Sequence, residues 1–143
     1  MTNTRPDNYQ WIALFAITLS VFTTVTDFSG ITVALPTIAR EHDLSLPAAS
    51  WVILASTLTI IAVLVPAASL SDKLGRKNSY TLGLIMFAVG AIGVALSPSF
   101  GLLIAARIFQ SAGIGIVQTN SYAMVATVFP DDQRGKGIGA YTS

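Results

Sequence analysis

Long apolar stretches separated by short polar breaks run along this sequence. Four stretches reach the length of about 20 apolar residues that a helix needs to cross the hydrocarbon core of a bilayer. They cover approximately residues 11–38, 48–70, 79–97 and 101–128. The breaks contain charged residues or proline and fall at residues 40–43, 69–77, 98–99 and 129–132. This pattern predicts an all-α, multi-pass transmembrane bundle with four full spans.

The last ten residues predict a further helix. Residues 134–143 pass from basic residues into small and apolar ones, so a fifth span is expected to start at about residue 137. A stable membrane protein rarely ends one turn into a helix. We therefore expect residues 1–143 to form a partial N-terminal transmembrane bundle of a longer protein. The alternative is a short amphipathic tail lying on the membrane surface.

The composition excludes several classes of protein. Of 143 residues, 52% are hydrophobic and 10% are charged, whereas charged residues make up about 25% of soluble domains. The net charge of +1 points to no nucleic-acid partner. With no cysteine and one histidine, no transition-metal site is expected. Phosphate-binding loops and nucleophile elbows are also missing from the sequence, so we expect a protein that is not an enzyme and uses no cofactor.

Basic residues predict the orientation in the membrane. Six of them fall in breaks that a four-span bundle places on one side: Arg5, Lys73, Arg76, Lys77, Arg134 and Lys136. Only Arg40 falls in a break on the opposite side. Because cytoplasmic loops carry the excess of lysine and arginine, the N-terminus is expected to be cytoplasmic.

Two ionisable residues interrupt the apolar spans. Asp27 lies sixteen residues into the first span, about 24 Å along a helix, and Arg107 lies six residues past Gly101, about 9 Å inward from the other end. Both depths fall in the outer half of the bilayer, so the two side chains can share a water-filled cavity and neutralise one another. Charged residues inside spans mark ion and solute pathways, which makes Asp27 and Arg107 candidates for proton coupling. The alternative is a buried ion pair that only holds two helices in register.

Amides form a polar stripe on the fourth span. Gln110 follows Arg107 by three positions, and Asn120 returns close to the same face ten residues later. Both are candidate solute contacts, or alternatively hydrogen-bonding contacts between helices. Small residues at Gly90 and at Ser111 to Gly115 predict close helix packing.

Four segments resemble motifs of one known family. They are ASLSDKLGRK at residues 68–77, DFSGITVALP at 27–36, RIFQSAG at 107–113 and FPDDQRG at 129–135. The first is similar to the loop between helices two and three of the major facilitator superfamily. The second and third resemble first-helix and fourth-helix patterns of its fourteen-helix drug:proton antiporters, and the fourth resembles the loop that follows.

The resemblance implies a transporter of the plasma membrane that exports drugs or other small molecules by alternating access, driven by the proton gradient. It implies that the lipid bilayer, a small-molecule solute and protons are the partners, together with further C-terminal helices of the same protein. It also implies a gating role for the loop residues Asp72, Gly75, Arg76 and Lys77.

Two other hypotheses remain open. A complete four-helix multidrug transporter acting as a dimer fits the length and the acidic residue in the first span, although it does not predict the motif at residues 68–77. A non-transporting membrane scaffold or receptor would use Asp27 and Arg107 as a structural pair only.

Overall fold

The computed structural model describes the backbone of residues 8–128 and the surroundings of most side chains between residues 18 and 121. Its helices are α1 (Asn8–Glu41), α2 (Leu46–Ala49), α3 (Trp51–Leu74), α4 (Arg76–Ala95) and α5 (Phe100–Val128). The described residues contain no β-strand, which agrees with the predicted all-α class. Arg5, the loop motif at 129–135 and the expected fifth span lie outside the described residues.

Three segments of the described chain are long and apolar enough to cross a membrane. They are Leu46–Leu74, which joins α2 and α3, then Arg76–Ala95, and finally Phe100–Ser121. These segments match the second, third and fourth predicted spans. The first predicted span lies within α1, a continuous helix of 34 residues whose N-terminal side chains are outside the described set. The architecture is therefore a multi-pass helical membrane bundle with three of the four predicted spans supported.

The helices extend into the predicted break at residues 69–77. Helix α3 continues to Leu74 and α4 begins at Arg76, so Gly75 alone separates them. Charged residues can belong to a helix once it extends beyond the lipid. Within residues 69–77, Gly75 has a φ of 83°, a backbone conformation that residues with a side chain resist. The amide of Gly75 donates to the carbonyl of Ser71 at 2.9 Å, which closes the last turn of α3.

Helix α5 is the central helix of the described bundle. Half of its most apolar window is buried inside the protein, against 17% for Leu46–Leu74 and 22% for Arg76–Ala95. It contacts α1, α3 and α4. With half of this window buried, α5 presents more of its surface to protein than α3 and α4 do, which explains how it accommodates several polar side chains.

Glycines bring α4 and α5 into backbone contact. A Cβ atom built on Gly83 would lie 2.9 Å from the carbonyl oxygen of Gly113, and one built on Gly90 would lie 2.6 Å from Cα of Gln110. Since the partner number falls as the α4 number rises, the two helices are antiparallel. The close packing predicted from the small residues is confirmed.

An apolar cluster closes the end of the bundle opposite Gly75. Ile31 and Ile38 of α1, Val52 of α3 and Leu103 of α5 are all buried there. The side chains of this cluster hold three helices together by apolar packing. The polar contacts of α5 lie in the middle of the helix and toward its other end.

Candidate transport site

Asp27 and Arg107 meet inside the bundle. Nη1 of Arg107 donates to Oδ2 of Asp27 at 2.7 Å, which joins α1 to α5. The Arg107 side chain is 2% exposed and that of Asp27 is 23% exposed. The structure therefore confirms the pairing that the two depths predicted, and it places the arginine as the more deeply enclosed partner.

Gln110 completes a closed ring with this ion pair. Its Oε1 accepts from Nη1 of Arg107 at 2.8 Å, and its Nε2 donates to Oδ1 of Asp27 at 3.0 Å. The helical spacing of three residues puts Arg107 and Gln110 on the same face of α5, so both side chains reach Asp27. We call these three residues the Asp27 ring. Both the oxygen and the nitrogen of the Gln110 amide are therefore hydrogen-bonded to protein side chains.

The Asp27 ring satisfies charges that would otherwise be costly to bury. A guanidinium does not deprotonate in proteins, so Arg107 needs a permanent acceptor. Asp27 and Gln110 supply two acceptor oxygens, while Nε of Arg107 has no hydrogen-bond partner among the described residues. Arg107 is thus the member of the pair whose charge is permanent.

A cavity of about 330 Å³ opens beside the ring. Its lining residues are Phe22, Thr23, Thr26, Asp27 and Phe87. Asp27 therefore contacts open volume on one side and the buried Arg107 on the other. The size falls within the range of about 300–1,000 Å³ that small-molecule sites occupy.

Asn120 does not join the Asp27 ring and instead lies near Gly75. Its Oδ1 accepts a hydrogen bond from Oγ of Ser71, and its Nδ2 donates to the carbonyl of Ile116 at 2.8 Å. Sequence reasoning did not select Ser71 as a site residue. The available signal was a stripe of small or β-branched residues at helical spacing, which the structure buries on α3: Val52, Ser56, Ala67 and Ser71.

The four predicted gating residues lie together at this end of the bundle. Asp72, Gly75, Arg76 and Lys77 are all exposed. A smaller cavity, of about 130 Å³, lies beside them and is lined by Ala68, Ser71, Asp72, Arg76, Thr119 and Asn120. We call the segment from Asp72 to Lys77 the charged turn.

Metal chemistry finds no support in the described residues. They contain no group of three or more His, Cys, Asp or Glu side chains that could hold a metal ion. The polar groups inside the bundle instead form an ion pair with a bonded amide, next to a cavity of small-molecule size.

These features define a helical membrane protein with a buried, ionisable polar site. Residues 17–143 match the family model described as Major Facilitator Superfamily. Because the match covers most of the sequence, the chain belongs to the major facilitator superfamily, whose members are membrane transporters.

Several curated proteins are similar to the chain over nearly its whole length. Riboflavin transporter RibZ of Clostridioides difficile is 34% identical over 130 residues, which are 91% of this chain and 28% of that protein. Multidrug resistance protein Stp of Mycobacterium tuberculosis is 32% identical over 135 residues, or 94% and 25% of the two chains. Puromycin resistance protein pur8 of Streptomyces alboniger is 28% identical over 137 residues, or 95% and 27%. The chain thus spans about a quarter of the length of these relatives.

Proposed function

We propose that this chain is part of a proton-coupled exporter of drugs or other small molecules that works by alternating access. The observation that carries the proposal is the Asp27 ring, an ionisable group paired with a buried arginine inside membrane-spanning helices. Polar groups at such depth are costly and tend to mark ion or solute pathways. Relatives named as multidrug and puromycin resistance proteins support export.

Protonation of Asp27 provides the switch. The ionised carboxylate holds Arg107 and Gln110, and thereby holds α1 against α5. A proton on Asp27 removes the charge attraction and one acceptor, so the contact weakens. Exchange of a proton for a solute at this site then couples the proton gradient to the relative position of the helices.

The cavity beside Asp27 is the place where solute enters this mechanism. Phe22 and Phe87 supply apolar and aromatic surface, while Thr23 and Thr26 lie next to the carboxylate. When the ring opens, the amide of Gln110 becomes available as a solute contact. RibZ is named for riboflavin, and puromycin appears in the name of another relative, so these two compounds are the first solutes to test.

The charged turn forms one side of a gate in this proposal. Asp72 and Arg76 are exposed at the end of the bundle and present both signs of charge to a second bundle. The relatives are about four times longer than the matched segment, which supports further helices as the opposing surface. The basic residues of the turn favour a cytoplasmic location for it and for the N-terminus, in the plasma membrane.

Family membership favours this proposal over the small four-helix transporter acting as a dimer, because the match is to the facilitator family. It leaves the non-transporting scaffold to be tested by experiment. The test uses the protein encoded by the gene that contains this chain, purified and reconstituted in vesicles. Proton movement is recorded when riboflavin or puromycin is added.

The exporter proposal predicts solute-driven proton movement that falls at least about tenfold in Asp27→Asn, in line with the loss of a group used in proton transfer. Asp43→Asn is the matched control, since Asp43 is exposed in the loop after α1 and its φ of 51° is one that asparagine also adopts. Unchanged coupling in Asp27→Asn would remove Asp27 from the mechanism. No proton movement with any tested solute would favour the scaffold.

A further inference from the structure

Helix α5 reaches the Asp27 ring with one part and the charged turn with another. Arg107 and Asn120 are thirteen residues apart, roughly 20 Å along a helix. Between them, a Cβ atom on Gly113 would lie 2.6 Å from the carbonyl oxygen of Gly83 in α4, and one on Gly115 would lie 3.3 Å from the carbonyl oxygen of Ile60 in α3. Such close packing leaves α5 no room to bend locally, so displacement at one end reaches the other.

The contact at the far end is a buried hydrogen bond with a fixed direction. Asn120 is 1% exposed and Ser71 is 7% exposed. Because Nδ2 of Asn120 already donates to the carbonyl of Ile116, the amide presents Oδ1 to the hydroxyl of Ser71. Both residues are more than nine-tenths buried, so loss of this bond leaves a buried acceptor without its partner.

Ser71 also fixes the charged turn through its backbone. Its carbonyl accepts from the amide of Gly75 at 2.9 Å, and Asp72 follows it directly in the chain. One residue therefore connects α5, through its side chain, to the turn, through its carbonyl. Ser71, Asp72 and Asn120 line the same cavity of about 130 Å³.

We infer that Ser71 and Asn120 are positioning residues that couple the charged turn to the Asp27 ring through α5. When the ring opens, α5 shifts relative to α1, Asn120 carries the end of α3 with it, and Asp72 changes its position. The inference rests on the proposed function in one respect, namely that neutralising Asp27 opens the ring.

The test measures the accessibility of the turn rather than transport. Residues 1–143 contain no cysteine, so Ala68→Cys introduces the one thiol of this segment, at an exposed position that lines the cavity beside the turn. Any cysteine in the rest of the encoded protein is first replaced by serine. The rate of labelling by a membrane-impermeant maleimide is measured in inside-out vesicles, using the protein encoded by the gene that contains this chain. Asp27→Asn is then added to neutralise the ring.

With Ser71 present, Asp27→Asn is expected to change the labelling rate about fivefold, the lower end of typical coupling between sites. With Ser71→Ala the response is expected to disappear, and with Ser71→Thr, which keeps the hydroxyl, it is expected to return. If Ser71→Ala does not accumulate in the membrane, Asn120→Ala removes the same bond and carries the same expectation.

Ser79→Ala is the matched control. Ser79 is 0% exposed, against 7% for Ser71, and its Oγ has no hydrogen-bond partner among the described residues. The same substitution there should leave the response intact. A response that survives Ser71→Ala, or that is absent with Ser71 present, overturns the inference. Because labelling needs no solute, a failure to detect transport of any tested solute would leave these rates as expected, whereas a ring that stays closed in Asp27→Asn would remove the response.

Discussion

Helix α5 contacts α4 and α1 through different chemistry. Against α4 it packs backbone to backbone, since a Cβ built on Gly90 would lie only 2.6 Å from Cα of Gln110. Against α1 it is held in the middle of the bundle by the Asp27 ring, whose hydrogen bonds measure 2.7 to 3.0 Å. Gln110 takes part in both contacts, with its backbone facing Gly90 and its amide facing Asp27.

The difference separates a fixed contact from a switchable one. Close packing of glycines has no second charge state, and its stability comes from many short contacts that solvent conditions change little. In the proposed mechanism the Asp27 ring has a second state, because a carboxylate can take up a proton while an arginine stays charged. We therefore interpret α4 and α5 as a rigid pair against which α1 can move.

The largest effect is expected from filling the glycine contact. Gly90→Leu would place a whole side chain where a single Cβ already lies 2.6 Å from backbone Cα of Gln110. The expected loss of stability is at or above the upper end of the roughly 1–3 kcal/mol that overpacking costs. Size-exclusion chromatography in detergent should show loss of the folded, monodisperse protein. Normal folding would contradict the close approach of α4 and α5.

Asp27→Ala is expected to have the next largest effect on stability. It leaves Arg107, which is 2% exposed, with Oε1 of Gln110 as its remaining acceptor in the ring. Breaking a fully buried pair costs roughly 3–5 kcal/mol, and since Asp27 is 23% exposed we expect about 2 kcal/mol here. Denaturation in mixed detergents measures the difference. A cost no greater than that of Asp43→Ala in the exposed loop would contradict a structural role for the pair.

Asp27→Asn is expected to cost less, about 1 kcal/mol, because the amide keeps one of the two acceptor oxygens. It nevertheless fixes the site in an uncharged state. The same denaturation series should therefore rank this variant between the parent protein and Asp27→Ala. A cost equal to that of Asp27→Ala would show that the charge, rather than the hydrogen bond, supports the contact.

Gly30→Ala is expected to have the smallest effect. A Cβ at Gly30 meets nothing within 4 Å, in contrast to Gly90. Alanine is favoured over glycine inside helices by up to about 1 kcal/mol, so this variant should be neutral or slightly stabilised. The thermal unfolding temperatures of Gly30→Ala and Gly90→Ala are compared with that of the parent protein. The first should stay the same or rise, and the second should fall. Equal losses would contradict the comparison.

The sequence was most informative about spans and about buried charge. Hydropathy located the segments that became α3, α4 and α5 because lipid imposes a minimum length on apolar runs. Helix rise alone placed Asp27 and Arg107 at matching depths, and the structure joins them at 2.7 Å. These two successes rest on constraints that act along a single helix or across the bilayer.

Contacts that depend on the rotation of two helices were less predictable. The spacing of Gln110 and Asn120 places them close to the same face of α5. Gln110 nevertheless bonds to α1 and Asn120 to α3. Nothing in the spacing of α5 identified Ser71 as the partner of Asn120. The break at residues 69–77 was predicted from its charge, whereas the structure separates α3 from α4 at Gly75, whose φ is positive.

The most direct test of the fixed and switchable contacts is a distance measurement between spin labels. Exposed positions suit the labels: Val33 on α1, Ile85 on α4 and Ile108 on α5. The proposed mechanism predicts that acidification shifts the distance distribution between Val33→Cys and Ile108→Cys, while that between Ile85→Cys and Ile108→Cys stays constant. Asp27→Asn should abolish the acid-induced shift. Equal shifts in both pairs, no shift in either, or a shift that persists in Asp27→Asn would contradict the account.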